Sequence, residues 1–152
     1  MIELKLNEPW IYVSIATQTL HYIRGTSVHP FNVSTSKYGI GEKENSFKTP
    51  RGWHYIRFMI GKNLPENTFY KSRRPCKHSD ISGRILWLQG LCEGLNKGAK
   101  KCSLRRYIYI HGTPHAFLKQ PISIGCINMN NHDIKILFDR LPKYCKVYID
   151  EK

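Results

Sequence analysis

The sequence has no C-x-x-C pair, no long apolar run, and few acidic residues, 11 against 24 basic ones. Each shortage excludes something. Cys76, Cys92, Cys102, Cys126 and Cys145 make an odd set without metal-ligand spacing, so neither a zinc knuckle nor a disulfide framework is expected. Reduced thiols are the simplest reading, with most of them serving as small apolar fillers. No stretch approaches the ~18 apolar residues that would span a bilayer. The opening MIELKLNEPWIYVS lacks a basic segment leading into an apolar one, so no signal peptide is visible. The expected compartment is therefore the cytoplasm, or the periplasm if a leader was removed. Repeats, low-complexity tracts and Pro/Ser linkers are missing too, so residues 1–152 are expected to form one domain. No carboxylate pair or histidine cluster forms a metal site, and no cofactor is expected.

What remains is a globular composition, 41% hydrophobic, with a formal net charge of +13. Charge of that size concentrates anionic partners, either a polycarboxylate or a nucleic acid. Its densest stretch is KGAKKCSLRR, Lys97–Arg106. No known nucleic-acid-binding motif accompanies it, and the aromatic residues alternate as core strand residues do. A nucleic-acid partner is therefore not expected. A basic nucleic-acid-binding domain without catalysis is the alternative reading.

Apolar alternation marks most of the chain as β. WIYVSIATQTLHYIRG holds two short strands, with Gly25 at the following turn, and Val28–Thr35 is another strand, with Pro30 hinting at an edge. A glycine-bearing loop (37–46) and a Thr49–Gly52 turn precede the strand WHYIRFMIG. Residues 62–100 read as a long surface excursion holding one short buried element, Arg84–Leu91, of undecided type. Tyr107–Ile110 is a strand. Asn130 caps a helix with Asp133 near its third position; the helix DIKILFDRL stops before Pro142, and KVYID is a last strand. The expected class is mainly β with one short helix.

The stretch YIYIHGTPHAFLKQPISIGCIN carries the chemistry. A thiol attacks an acyl carbon as thiolate, and a free cysteine with a pKa of ~8.5 needs help to become one. An imidazole supplies it by taking the proton. His111, at the end of a strand, suits that role, and Gly112 leaves room for a main-chain carbonyl to fix its tautomer. Cys126 follows Gly125 in a turn that can expose Sγ and aim backbone N–H groups at a developing oxyanion. His115 is expected in solvent, and His54 is expected to be a packed or surface strand residue.

The whole pattern, I-H-G-T, a loop, S-x-G-C-I-N-M and a capped helix, resembles the signature of the L,D-transpeptidases, the YkuD-like family, most of all the ErfK/YbiS type. VSIATQTLHYIRG, FNVSTSKYGIGEKENSFKTPRGWHYI and RRYIYIHGTP resemble its successive strands and turns, so the similarity covers Trp10 to Ile149. The resemblance implies a β-sandwich-like domain with the helix near the active site. It implies a cysteine nucleophile cleaving the bond between the third residue, often meso-diaminopimelate, and D-Ala of a peptidoglycan stem. An amine acceptor would make this an L,D-transpeptidase, and water an L,D-carboxypeptidase. Cys126 matches the nucleophile, His111 the base, and Gly112 the carbonyl that orients it. Gly125 and Cys126 match the oxyanion donors, and Ser123 and Asn128 match polar positions. The implied partners are peptidoglycan stem peptides or muropeptides, with the protein a monomer. Two positions depart from the pattern. Ile124 stands where many members have a second histidine. Asn128 stands where arginine is frequent, and it cannot clamp a carboxylate as a bidentate pair.

Overall fold

Among the described residues there are ten strands and one helix, and outside residues 62–100 they follow the alternation. The structure, a computed structural model, describes residues 2–115 and 118–152. The strands are β1 (Trp10–Ser14), β2 (Thr19–Arg24), β3 (Ser27–Asn32), β4 (Gly52–Ile60), β5 (Phe69–Lys71), β6 (Arg74–Cys76), β7 (Ser82–Gly90), β8 (Tyr109–Thr113), β9 (Ile127–Asn130) and β10 (Lys146–Asp150), with helix α1 (Asn131–Arg140) before the last. They form one hydrogen-bonded network in the order β3-β2-β1-β10-β4-β7-β5-β6, and β8 pairs with both β7 and β9. The architecture is the expected mainly-β one with a single helix.

Pairing puts apolar positions on a shared inner face. Ile11 lies beside Val147, Val13 beside Leu20 and Ile149, and Leu86 beside Ile110. These residues, with Ile127, Met129 and the α1 residues Ile134, Leu137 and Phe138, make up the main core. The other face of β1, β4 and β10 carries aromatics instead: Trp53 packs 5.6 Å from Trp10 and 4.9 Å from Tyr148. Pro30 lies in β3, the edge strand beyond β2, where a missing N–H costs no ladder bond.

Residues 62–100 correct the expectation of a surface excursion. Here β5 and β6 form a tight hairpin, and β7 is a nine-residue strand between β4 and β8. SGRILWLQG is apolar on both faces because both are covered, which is why period-two alternation did not mark it. The α1 boundaries agree with the cap signals. Asn130 Oδ1 accepts from the Asp133 N–H at 2.7 Å, and Leu141 closes the helix just before Pro142.

Candidate active site

The parallel β8–β9 ladder brings the histidine and cysteine segments together. Ile110 stands opposite Ile127 and His111 opposite Asn128. Side chains alternate along a strand, so Ile110 and Ile127 enter the core while His111 and Asn128 share the other face. Tyr109, two residues before His111, and Cys126, two before Asn128, fall on that same face. Cys126 lies just before β9 and packs against the Ile85 and Tyr109 cluster on the His111 side of β8. From β7, opposite β8, Ile85 and Trp87 extend the surface.

His111 lies in the middle of β8, not at the end of a strand as its sequence position indicated. Tyr107 has a φ of 56° and precedes the strand. The His111 ring is 5% exposed, and its Nδ1 meets the Gly112 carbonyl at 2.6 Å. A carbonyl only accepts, so Nδ1 carries the proton and Nε2 keeps its lone pair. Burial pushes the imidazole down to about 4, although the Gly112 carbonyl and Asp80 both favour its charged form. Gly112 has a packing reason to be glycine as well. A Cβ there would strike Asn131 Oδ1 of α1 and lie 2.5 Å from the Ser82 carbonyl.

Cys126 is half-buried. The Tyr109 N–H donates to its sulfur at 3.4 Å, and the thiol in turn donates to the Tyr107 carbonyl at 3.4 Å. Burial pushes the thiol up to about 11, against the opposing pull of the Tyr109 N–H and the Arg106 guanidinium. No hydrogen bond joins the thiol to the imidazole among the described residues. With these shifts both groups are neutral near pH 7.

The turn that presents the cysteine is held from several sides. Gly125 has a φ of 127°, open to glycine and strained for other residues. Its carbonyl accepts from Thr49 Oγ1 at 3.0 Å. Ser123 is 7% exposed and belongs to the turn itself: its hydroxyl donates to the Cys126 carbonyl at 2.6 Å and accepts from the Gly125 N–H at 3.3 Å. Asn128 bonds through its main chain to Ser34 in both directions, at 2.8 and 2.9 Å, while its buried Oδ1 has no partner among the described residues. Ile124, where the second histidine of the pattern is missing, is 64% exposed.

His115 is exposed as expected and bonds Asp80 at 2.9 Å at the protein surface. His54 is the packed strand histidine, 0% exposed and held between the Gly52 carbonyl and Ser103 Oγ. Sequence reasoning missed Thr49, Arg106, Tyr107 and Tyr109. Period-two spacing could have found Tyr109, two residues from His111. The contacts of Tyr107, Arg106 and Thr49 come from loops whose course no periodicity reveals. A cavity of about 530 Å³ between β4 and the end of α1 contains none of these residues. No group of three or more His, Cys, Asp or Glu able to hold a metal occurs among the described residues, and no described helix is long and apolar enough to cross a membrane.

Comparison with known proteins agrees with this fold. The fold resembles an L,D-transpeptidase from Xylanimonas cellulosilytica, with a TM-score of 0.59 and 17% identity over 97% of this chain and 63% of that one. An L,D-transpeptidase from Mycobacterium tuberculosis H37Rv gives a TM-score of 0.62 and 13% identity over 94% and 57%. L,D-transpeptidase 3 of Mycobacterium tuberculosis, solved with a faropenem-derived adduct, gives 0.60 and 14% over 94% and 61%. The chain thus spans about three-fifths of the length of these structures. No curated protein matches it. Residues 8–149 match the YkuD family, described as the L,D-transpeptidase catalytic domain, and the chain belongs to that family.

Proposed function

We propose that the protein is a cysteine acyltransferase of peptidoglycan stem peptides, with Cys126 as nucleophile and His111 as base. The observation that carries this reading is the shared sheet face of Cys126 and His111, with the imidazole held by the Gly112 carbonyl so that Nε2 is unprotonated. In the reaction, Sγ attacks the carbonyl carbon between the third stem residue and D-Ala, and the thiol proton passes to Nε2. The carbonyl oxygen becomes an oxyanion facing the Cys126 turn, where main-chain N–H groups are the available donors. Collapse breaks the C–N bond, His111 returns its proton to the departing D-Ala amine, and a thioester remains on Cys126. An amine or a water then attacks that thioester, giving a cross-link or a shortened stem.

The neutral resting pair fits attack coupled to proton transfer. An imidazole with a pKa of about 4 is a weak base, but negative charge forming on sulfur and oxygen raises its proton affinity as the reaction proceeds. Incubation with a disaccharide-tetrapeptide, with and without an amine acceptor, followed by mass measurement, tests the reading. Loss of D-Ala is expected, leaving a thioester on Cys126, a tripeptide acid from water or an amide from the added amine, and an unchanged tetrapeptide from folded, reduced protein would refute it. The same chemistry predicts acylation by penems and carbapenems. One adduct should map to the peptide containing Gly125-Cys126-Ile127, as a faropenem-derived group is held by the M. tuberculosis L,D-transpeptidase 3.

A further inference from the structure

The β5–β6 hairpin closes through a two-residue turn, Ser72-Arg73, with φ of 49° and 64°. Such a turn needs left-handed backbone at both central positions, and Asn-Gly fills them with least strain. This chain places a long side chain there instead, and that side chain has a definite destination. The Arg73 guanidinium lies 4.8 Å from the Trp87 ring and 5.4 Å from the Tyr107 ring, and it donates to the Tyr109 hydroxyl at 3.1 Å. Tyr107 and Tyr109 are the two residues whose main chain holds Cys126 Sγ. One pair of tyrosines therefore grips the sulfur with its backbone and an arginine with its side chains.

That arginine has no anionic partner among the described residues. None of the ion pairs among the described residues includes Arg73. The other arginine near the sulfur, Arg106, is committed: it donates to the Gly41 and Lys48 carbonyls and to Ser46 Oγ. Asn128, on the His111 face, is neutral and offers no fork. A half-buried guanidinium, stacked on aromatic rings with most of its donors unused, matches a carboxylate better than any other common anion of peptides.

We propose that Arg73 recognises a free carboxylate of the acyl donor, and so sets specificity at the Cys126 site from the hairpin tip. The assignment rests on the acyl-transfer reading above. Two carboxylates flank the bond that Cys126 would cleave: the side chain of the third residue, and the terminus of the leaving D-Ala. Both present the same planar anion to the fork.

Two measurements separate this assignment from the reaction itself. The first needs no peptidoglycan. Alkylation of Cys126 by iodoacetate and by neutral iodoacetamide is followed at pH 9 by peptide mapping, and the ratio of the two rates cancels any change in thiol reactivity. Arg73→Gln should lower the iodoacetate-to-iodoacetamide ratio roughly 10-fold, with Arg73→Lys between it and the parent, as expected for a charge-assisted contact. A ratio unchanged in Arg73→Gln would overturn the proposal.

The second measurement compares a tetrapeptide with its two monoamides. The parent protein should lose roughly 10- to 100-fold in kcat/KM on one monoamide, and that amide names the carboxylate. Arg73→Gln should lose as much on the free acid and become indifferent to the same amide. If Arg73→Gln still discriminates like the parent, the Arg73 assignment falls and acyl transfer stands. If the parent turns over none of the three, the acyl-transfer reading falls, and this donor with it.

Discussion

The main-chain N–H of Tyr109 donates to Cys126 Sγ at 3.4 Å, the strongest local support for negative charge on the sulfur. Burial outweighs it, and the thiol stays protonated up to about pH 11. The absorbance of thiolate near 240 nm, taken as the difference between the parent and Cys126→Ser, should therefore be absent at pH 7 and grow only as pH approaches 11. Turnover should have an acid limb near pH 4, where His111 takes its proton and ceases to be a base. A thiolate signal already complete at pH 7 would mean a preformed ion pair and would refute the neutral resting state.

Cys126→Ala and Cys126→Ser should abolish turnover, while single changes at Cys76, Cys92 and Cys102 should leave it near the parent. Cys76 lies in β6, and Cys92 and Cys102 lie in the segment between β7 and β8, away from the Gly125-Cys126 turn in sequence. His111→Ala should slow acylation by ~10²–10⁴, the usual contribution of a positioned base. His115→Ala should stay within a few-fold, because its ring is tied to Asp80 at the surface. Initial rates of D-Ala release decide this. A large loss from His115→Ala with a small one from His111→Ala would reverse the assignment.

How much of this was legible in the sequence depends on the length scale of the signal. Local chemistry read well: the Asn130 cap, the stop before Pro142, the Gly125 turn and the Gly112 carbonyl all act within a few residues. Strand periodicity read well where one face is wet, as in β1 and β10. It failed for β7, where SGRILWLQG is covered on both faces and reads as an undecided apolar block. The family pattern gave Ser123 only as a polar position, and the structure gives its hydroxyl a place inside the turn. Least legible were contacts made by loops. The approach of Arg73 and Arg106 to the Cys126 surroundings depends on a hairpin and a loop arriving from 53 and 20 residues away.

His54 and His111 are both buried, with pKa lowered to about 4 by burial. The sign follows from linkage. Above about pH 6.5 both states hold neutral rings, while below it the unfolded chain takes up protons that the folded one refuses. Stability should thus fall as pH drops from about 6.5 to about 4 and then level off with respect to these two groups. The limit is about 3 kcal/mol per ring, from a shift of about 2.5 units. Urea midpoints at pH 7, 5.5 and 4 measure it, and His54→Gln should remove part of the slope. Midpoints that do not change over this range would show that the rings are reached by protons in the folded state.

The Ser72-Arg73 turn allows strain and contact to be weighed against each other. Left-handed backbone costs a non-glycine residue on the order of 1 kcal/mol. Ser72→Gly relieves that strain and removes no contact that Ser72 makes among the described residues, so its thermal midpoint should rise. Arg73→Gly relieves a similar strain but deletes the stacking on Trp87 and Tyr107 and the bond to the Tyr109 hydroxyl. Those contacts are worth about 0.5–1 kcal/mol for a cation over a ring and about 1 for a hydrogen bond. Two rings and one hydrogen bond make a loss of about 2–3 kcal/mol, which exceeds the relief, so Arg73→Gly should melt below the parent and further below Ser72→Gly. Paired thermal scans of the two variants decide the matter. If Arg73→Gly were stabilised as much as Ser72→Gly, the arginine would contribute nothing by its contacts, and its side chain would not be held over the tyrosines that flank Cys126.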